Sequence, residues 1–239
     1  MSVNNPCHCM DINSLKSMRY RDIYSSLTSY EIKFEKIVSW HNDILGYEIL
    51  LDFDHARKNG EGLLAEYKKG MLDSSATEYT LSQLVRVGGM GFNPKRFFVN
   101  IERNHLCNPL LLRKAALVSK ELFLNDIELV LEITERNPCG KCIKMLNGLR
   151  FLKDSGVSLA VDDYDIYNGD FRTPEVLAGV YDYIKIEMPM NEHERRCFNA
   201  FSLQFAQERQ KIILERVEYL DDVKALVRPF GLQGYFNRQ

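Results

Sequence analysis

The stretch IELVLEIT, residues 127–134, is apolar at almost every position. A strand with one solvated face alternates apolar and polar residues. A strand that is apolar throughout is covered on both faces, as in parallel sheets wrapped by helices. The rest of the chain supplies partners for such a strand. EIKFEKIVSW and LGYEILLDF flank His41-Asn42-Asp43 and read as a hairpin. RFFVNI, SLAVDD, YDYIKIE, KIILERV and GLQGYF follow as further strands.

Helix-like segments separate these strands. DSSATEYTLSQLVRVGG has Asp73 or Ser74 as a cap and Gly88-Gly89 as a stop. PLLLRKAALVSKELF, NEHERRCFNAFSLQFAQER and YLDDVKALVRPF read as helices. In KCIKMLNGLRFLKDSG, the spacing of Ile143, Leu146, Leu149 and Leu152 predicts the buried face, and Gly156 the stop. Phe198, Phe201 and Phe205 mark a second core face. Strand–helix alternation after an initial hairpin predicts an α/β fold: a modified TIM-type β/α barrel with an antiparallel first strand. Residues 1–30 are polar and weakly patterned and read as an N-terminal extension; 31–239 read as the barrel domain.

Composition excludes several classes. The formal net charge is −2 with no basic stripe, which argues against direct nucleic-acid binding. The N-terminal stretch MSVNNPCHCM lacks the apolar segment of a signal peptide, and the apolar runs are strand-sized, so no membrane partner is expected. Six cysteines in such a chain read as thiols in a reducing compartment, hence a cytoplasmic location. Cys139-Gly140-Lys141-Cys142 reads as two incidental thiols, and Cys7-His8-Cys9 lacks a second ordered pair for zinc.

LAVDDYDIYNGDF, residues 159–171, poses the functional question. An apolar strand ends in adjacent carboxylates, Asp162 and Asp163, whose like charges repel. In a β/α barrel, chemistry sits at the C-terminal strand ends. Those ends carry Glu48, Asn100, Glu132, Asp162 with Asp163, Lys185, Glu215 and Gln233. Any one could simply mark where solvent begins. Together, five carboxylates at one mouth would destabilise the barrel unless cations neutralised them. Hard oxygen donors predict Mg²⁺ or Mn²⁺. Two ions about 4 Å apart on a shared aspartate are what two-metal phosphoester hydrolysis uses.

The same segments carry a resemblance. YEILL is similar to the signature YEALL of the EAL domain family, and LEITE matches that family's strand outright. FFVNI, AVDDY, YIKIE, ILERVE and LQGYF resemble its SVNLS, ALDDF, FIKID, VAEGVE and VQGYLF. These motifs keep the family's order from Phe34 to Phe236. The resemblance implies a barrel that hydrolyses cyclic di-GMP to linear pGpG with two ions, Mg²⁺ or Mn²⁺, in control of motility, adhesion or biofilm. Glu48, Asn100, Glu132 and Asp162 would hold one ion; Asp162 would bridge to a second on Asp163 and Glu215. Lys185 would orient or deprotonate the attacking water. Glu135 would anchor the loop after Asp163, Glu218 would support the site, and Gln233 would line the pocket. A homodimer, or a regulatory-protein partner for a catalytically inactive form, is also implied.

The chain departs from the family at defined places. Asp52 stands where an arginine usually grips the ligand. The loop DDFGTGYSSL is here DDYDIYNGDF, with Asp165 and Tyr167 replacing glycines. The glycine of EGVE is Arg216, which could itself supply a phosphate contact in place of Asp52. Glu35-Lys36 stand where Gln-Pro is common.

Overall fold

The computed structural model describes residues 30–88, 94–134, 136, 142–205 and 210–238. Eight strands close into a barrel in sequence order. They are β1 (Ile32–Val38), β2 (Ile44–Leu51), β3 (Arg96–Ile101), β4 (Glu128–Ile133), β5 (Ser158–Val161), β6 (Tyr183–Glu187), β7 (Lys211–Val217) and β8 (Gly231–Gly234). β1 runs antiparallel to both β2 and β8, and the other neighbours are parallel. The expected fold is therefore the observed one. Residues 1–29 of the proposed N-terminal extension, and with them Cys7, His8 and Cys9, lie outside the described residues, as do Glu135 and Cys139; Tyr30, the last residue of that extension, is buried beside the Tyr67 ring.

Among the described residues, eight α-helices accompany the strands: α1 (Phe53–Lys58), α2 (Glu61–Leu72), α3 (Ser75–Gly88), α4 (Pro109–Phe123), α5 (Ile143–Asp154), α6 (Thr173–Leu177), α7 (Glu192–Phe205) and α8 (Leu220–Val223). Local chemistry sets their starts. Asn108 accepts from the Leu110 and Leu111 amides, and Pro109 begins α4 where no amide donor is missed. Asp73 accepts from the Ser75 amide ahead of α3.

Strand periodicity divides the side chains into two sets. Val99, Leu131, Leu159, Ile184 and Leu214 point outward into the core shared with the helices. Ile37, Phe98, Val130, Ala160, Tyr183 and Ile213 fill the barrel interior. The interior is a packed plug, not a channel, and it forms the floor beneath the mouth.

Three sequence expectations need correction. α5 buries Met145, Gly148, Leu149 and Leu152, while Ile143 and Leu146 are exposed. A Cβ at Gly148 would collide with the Leu106 carbonyl, so that close approach sets which face turns inward. YLDDVKALVRPF forms only the four-residue α8, and its N-cap Tyr219 provides no side-chain hydrogen bond. α1 and α2 were not anticipated; α2 is only weakly amphipathic, burying Tyr67 and Gly70.

Candidate active site

Two residues beyond each interior apolar position, toward the C-terminal end, the strand carries a polar side chain. Phe98 is followed by Asn100, Val130 by Glu132, Ala160 by Asp162, Tyr183 by Lys185, and Ile213 by Glu215. Gly231, which packs on Ile37 and Ile213, is followed by Gln233. β1 runs the other way, so Glu35 precedes Ile37 and pairs in register with Glu48. Period-two geometry thus brings one polar side chain from every strand into a single layer.

Lys185 occupies the centre of this layer. Its Nζ lies 2.8 Å from Glu132 Oε1, 2.8 Å from Glu215 Oε1, 3.0 Å from Glu48 Oε2 and 3.2 Å from Asp162 Oδ1. Asn100 donates to Glu48 Oε1 at 2.9 Å, and Gln233 donates to Glu48 Oε2 at 2.5 Å. Lys185, Glu48, Glu132, Glu215 and Gln233 are buried, and Asp162 nearly so.

One ammonium cannot neutralise four carboxylates, and the proton affinities record the imbalance. Burial and the Glu48 charge push Glu132 well above the ordinary carboxylate range. Burial, with Asp162 and Glu48 nearby, raises Glu215 to about 8. Asp162 is also raised, by burial and by the Glu48 and Asp163 charges. Glu48 goes the other way, to about 2: burial raises it, but Lys185 and the Gln233 hydrogen bond outweigh that. Burial would lower Lys185, but Glu132, Glu215, Glu48 and Asp162 hold it well above its ordinary value.

Five oxygens in this layer are buried without a hydrogen-bond partner: Asn100 Oδ1, both Glu132 carboxylate oxygens, Glu215 Oε2 and Gln233 Oε1; of these, Glu132 Oε1 faces the Lys185 ammonium at 2.8 Å, which leaves four unmatched. Buried acceptors left unmatched are costly, and excess acceptor oxygen with excess negative charge is what a hard cation satisfies. The donor set fits Mg²⁺ or Mn²⁺. As the side chains stand, no three acidic, histidine or cysteine groups among the described residues form a ready cation cage. The Lys185 ammonium lies at the point where the carboxylates converge.

The remaining sequence candidates lie elsewhere. Asp163 follows Asp162 at a φ of 44°, and its carbonyl accepts from Arg172 Nη2 at 3.2 Å. Arg216 sits at a φ of 55° where the β7–β8 register shifts, and its Nη1 pairs with Glu187 Oε1 at 2.8 Å on the exposed rim. Asp52 caps α1, accepting from the Asp54 and His55 amides. Those amide bonds hold its carboxyl below the usual range. Glu218 is exposed after β7. Sequence reasoning missed Lys33, which lines a cleft of about 420 Å³ with Asn100, Glu102, Arg57 and Arg136. Its position two residues before Glu35 on one strand face was the available signal.

A family model described as EAL domain matches residues 26–235. The chain belongs to the EAL domain family. Solved EAL structures share the fold. BlrP1 of Klebsiella pneumoniae, in a calcium and cyclic di-GMP complex, superposes with a TM-score of 0.65 at 14% identity, over 87% of this chain and 55% of that one. The EAL domain of Mycobacterium smegmatis DcpA gives 0.64 at 17% identity, over 87% and 89%. The PaMucR phosphodiesterase, in a cyclic di-GMP complex, gives 0.62 at 20% identity, over 87% and 94%. This EAL chain therefore spans about half of BlrP1, at 55%. No curated protein sequence matches it. No helix among the described residues is long and apolar enough to cross a membrane.

Proposed function

We propose that this EAL chain hydrolyses cyclic di-GMP to linear pGpG with two divalent ions, Mg²⁺ or Mn²⁺, held at the barrel mouth, and so lowers the messenger that controls motility, adhesion or biofilm in the bacterial cytoplasm. The observation that carries the reading is the layer in which four carboxylates and four unmatched buried oxygens converge from successive strands. Glu48, Asn100, Glu132 and Asp162 are the donors for one ion, with Asp162, Asp163 and Glu215 for a second. Bound there, the ions would lower the pKa of the attacking water and neutralise charge developing on the phosphoryl oxygens.

The chain's own residues divide the remaining work. Without bound ions, its carboxylate neighbours hold Lys185 as an ammonium. Its role is to orient the water and balance charge. Gln233 and Asn100 fix Glu48 from opposite sides. Glu135 would anchor the loop after Asp163, and Glu218 would support the site. Arg216 and the neighbourhood of Asp52 face the ligand, and the cations Lys33, Arg57 and Arg136 of the adjoining cleft suit its phosphates. A homodimer is compatible with this arrangement.

A second reading is an inactive EAL protein that binds a regulatory partner. Two observations favour it: Lys185 already satisfies part of the carboxylate layer, and Asp52 caps a helix where a ligand-gripping arginine is usual. The test is incubation of purified protein with cyclic di-GMP and Mn²⁺, reading pGpG, beside Glu48→Ala. Product from the parent and none from the variant supports hydrolysis. A parent without product, whose overexpression phenotype survives Glu48→Ala, leaves the partner-binding reading.

A further inference from the structure

The loop of residues 163–171 leaves β5 directly beside the proposed ion site and ends on Arg172. That side chain has no exposed surface. Its Nη1 donates to the Ile133 carbonyl at 3.0 Å and its Nη2 to the Asp163 carbonyl at 3.2 Å. Asp170, only 5% exposed, neutralises it, with Oδ1 3.0 Å from Nε and Oδ2 2.6 Å from Nη2. Burying a guanidinium is costly, and an apolar side chain could fill the same space. What an apolar side chain cannot do is tie two carbonyls from two strand ends with one rigid, planar group.

Those two carbonyls are not arbitrary. Ile133 follows Glu132, and Asp163 follows Asp162. The Ile133 carbonyl also accepts from the Asp162 amide at 3.2 Å, and the Tyr164 amide donates to the Lys185 carbonyl at 2.9 Å. Arg172 thereby fixes the separation of the strand ends that present Glu132, Asp162 and Asp163. The tie extends to a third strand. The Phe171 ring lies 5.7 Å from the Arg172 guanidinium and 5.3 Å from that of Arg103. Arg103 is likewise fully buried, follows the end of β3, and pairs with Glu175 of α6 and with Tyr181.

We propose that Arg172, stacked through Phe171 on Arg103, is a positioning residue that couples the ends of β3, β4 and β5 and so restrains the proposed ion donors Glu132, Asp162 and Asp163 relative to one another. The inference rests on the metal reading of the mouth. Arg172 acts through backbone carbonyls and supplies no ligand itself. Groups one step behind metal ligands commonly change affinity by about 10- to 100-fold when altered.

The test uses the full chain, Mn²⁺ titration calorimetry, and hydrogen exchange at the Tyr164 amide. Arg172→Lys keeps the charge but can span only one carbonyl, so Mn²⁺ binding should weaken by about tenfold or more. Phe171 is 47% exposed, so Phe171→Ala should leave the fold intact. It should weaken Mn²⁺ binding by a smaller factor, whereas Phe151→Ala, at an exposed position of α5, should not. Faster Tyr164 exchange with parental Mn²⁺ affinity in Arg172→Lys would overturn the proposal, because the loop would then move without moving the ligands. If Arg172→Lys does not fold, parental affinity in Phe171→Ala overturns it. A parent that binds no Mn²⁺ overturns the metal reading itself, and that result comes before any variant is made.

Discussion

The barrel carries charge at both ends, and the two ends are built differently. At the N-terminal end, Arg96 Nε donates to Glu128 Oε2 at 2.7 Å and lies 2.7 Å from the Tyr183 hydroxyl. Ser158 donates to Glu128 Oε1 at 2.6 Å, and Lys211 donates to the Tyr183 hydroxyl at 3.2 Å. Both cations stack on Tyr183 and Phe230. Two cations serve one carboxylate there, and burial fails to raise Glu128, whose pKa falls under the Ser158 bond and the Arg96 charge. At the mouth the ratio is inverted: Lys185 faces Glu48, Glu132, Asp162 and Glu215. The N-terminal cluster is complete as folded. The mouth, as folded, leaves carboxylate charge in excess and buried oxygens unmatched.

The largest expected contrast comes from removing the lysine at each end. Lys185→Met strands buried carboxylates and should cost about 3–5 kcal/mol in the absence of divalent ions. Lys211→Met leaves Glu128 its Arg96 partner and loses the ring contacts with Tyr183 and Phe230 and the bond to the Tyr183 hydroxyl, costing about 1–2 kcal/mol. Urea denaturation of both variants, with and without Mn²⁺, measures this. Mn²⁺ should recover much of the Lys185→Met loss and none of the Lys211→Met loss. Equal costs at the two ends would break the comparison.

Protons make the next contrast. Glu215 has an ordinary value of 4.5 and rises to about 8 in the fold. Between those values the folded chain keeps a proton that the unfolded chain has released. Its contribution to stability is complete below about pH 4.5 and is lost as pH rises toward about 8. Glu132 is displaced in the same direction. Glu48 and Glu128 are lowered, so what they contribute is lost only on acidification. Without divalent ions, the melting temperature should therefore fall from about pH 5 to about pH 8, by the equivalent of a few kcal/mol. Glu215→Gln should flatten the slope, and Glu128→Gln should not. A flat parental profile would mean that the mouth holds no displaced carboxylates.

Much of this was legible in the sequence, for a physical reason. Strand periodicity is two, so a polar residue two places beyond an apolar interior position must lie above it. Glu132 after Val130 and Lys185 after Tyr183 could be placed on that basis alone. Helix faces were harder: a 3.6-residue period leaves several faces open, and the buried side of α5 was decided by Gly148 against the Leu106 carbonyl. Lys185 at the centre of the carboxylates, and Arg172 behind them, were not legible, because each depends on side-chain reach across strands distant in sequence. The capping role of Asp52 was not legible either, because it depends on α1, a helix of only six residues with too few turns to show a period.

Single carboxylates sharpen the same contrast at smaller scale. Burial and the Glu48 charge disfavour the ionised form of Glu132, so Glu132→Gln should change stability by less than about 1 kcal/mol, in either direction. Glu128 is ionised and paired, so Glu128→Gln should cost about 1–2 kcal/mol. Mn²⁺ should stabilise Glu128→Gln as it does the parent and fail to stabilise Glu132→Gln. If the two substitutions cost the same and both keep the Mn²⁺ response, the mouth and the N-terminal cluster do not differ in kind.

The smallest effect concerns backbone strain at the rim. Asn42, Ser74, Asp126, Asp163 and Arg216 have positive φ among the described non-glycine residues. The first four have short polar side chains, which tolerate that region; Arg216, at 55°, lies within a strand at a register shift. A non-glycine residue there costs about 1–2 kcal/mol. Its ion pair with Glu187 is 64% and 43% exposed and returns about 0–1 kcal/mol. Arg216→Gly should therefore raise stability by up to about 1 kcal/mol. If the arginine binds the ligand's phosphate, the same variant should weaken cyclic di-GMP binding while Mn²⁺ binding is unchanged. If its pairing with Glu187 instead restrains Glu215 at the neighbouring position, Mn²⁺ should bind more tightly. An unchanged affinity for both would confine Arg216 to the rim and leave the mouth to the carboxylates and Lys185.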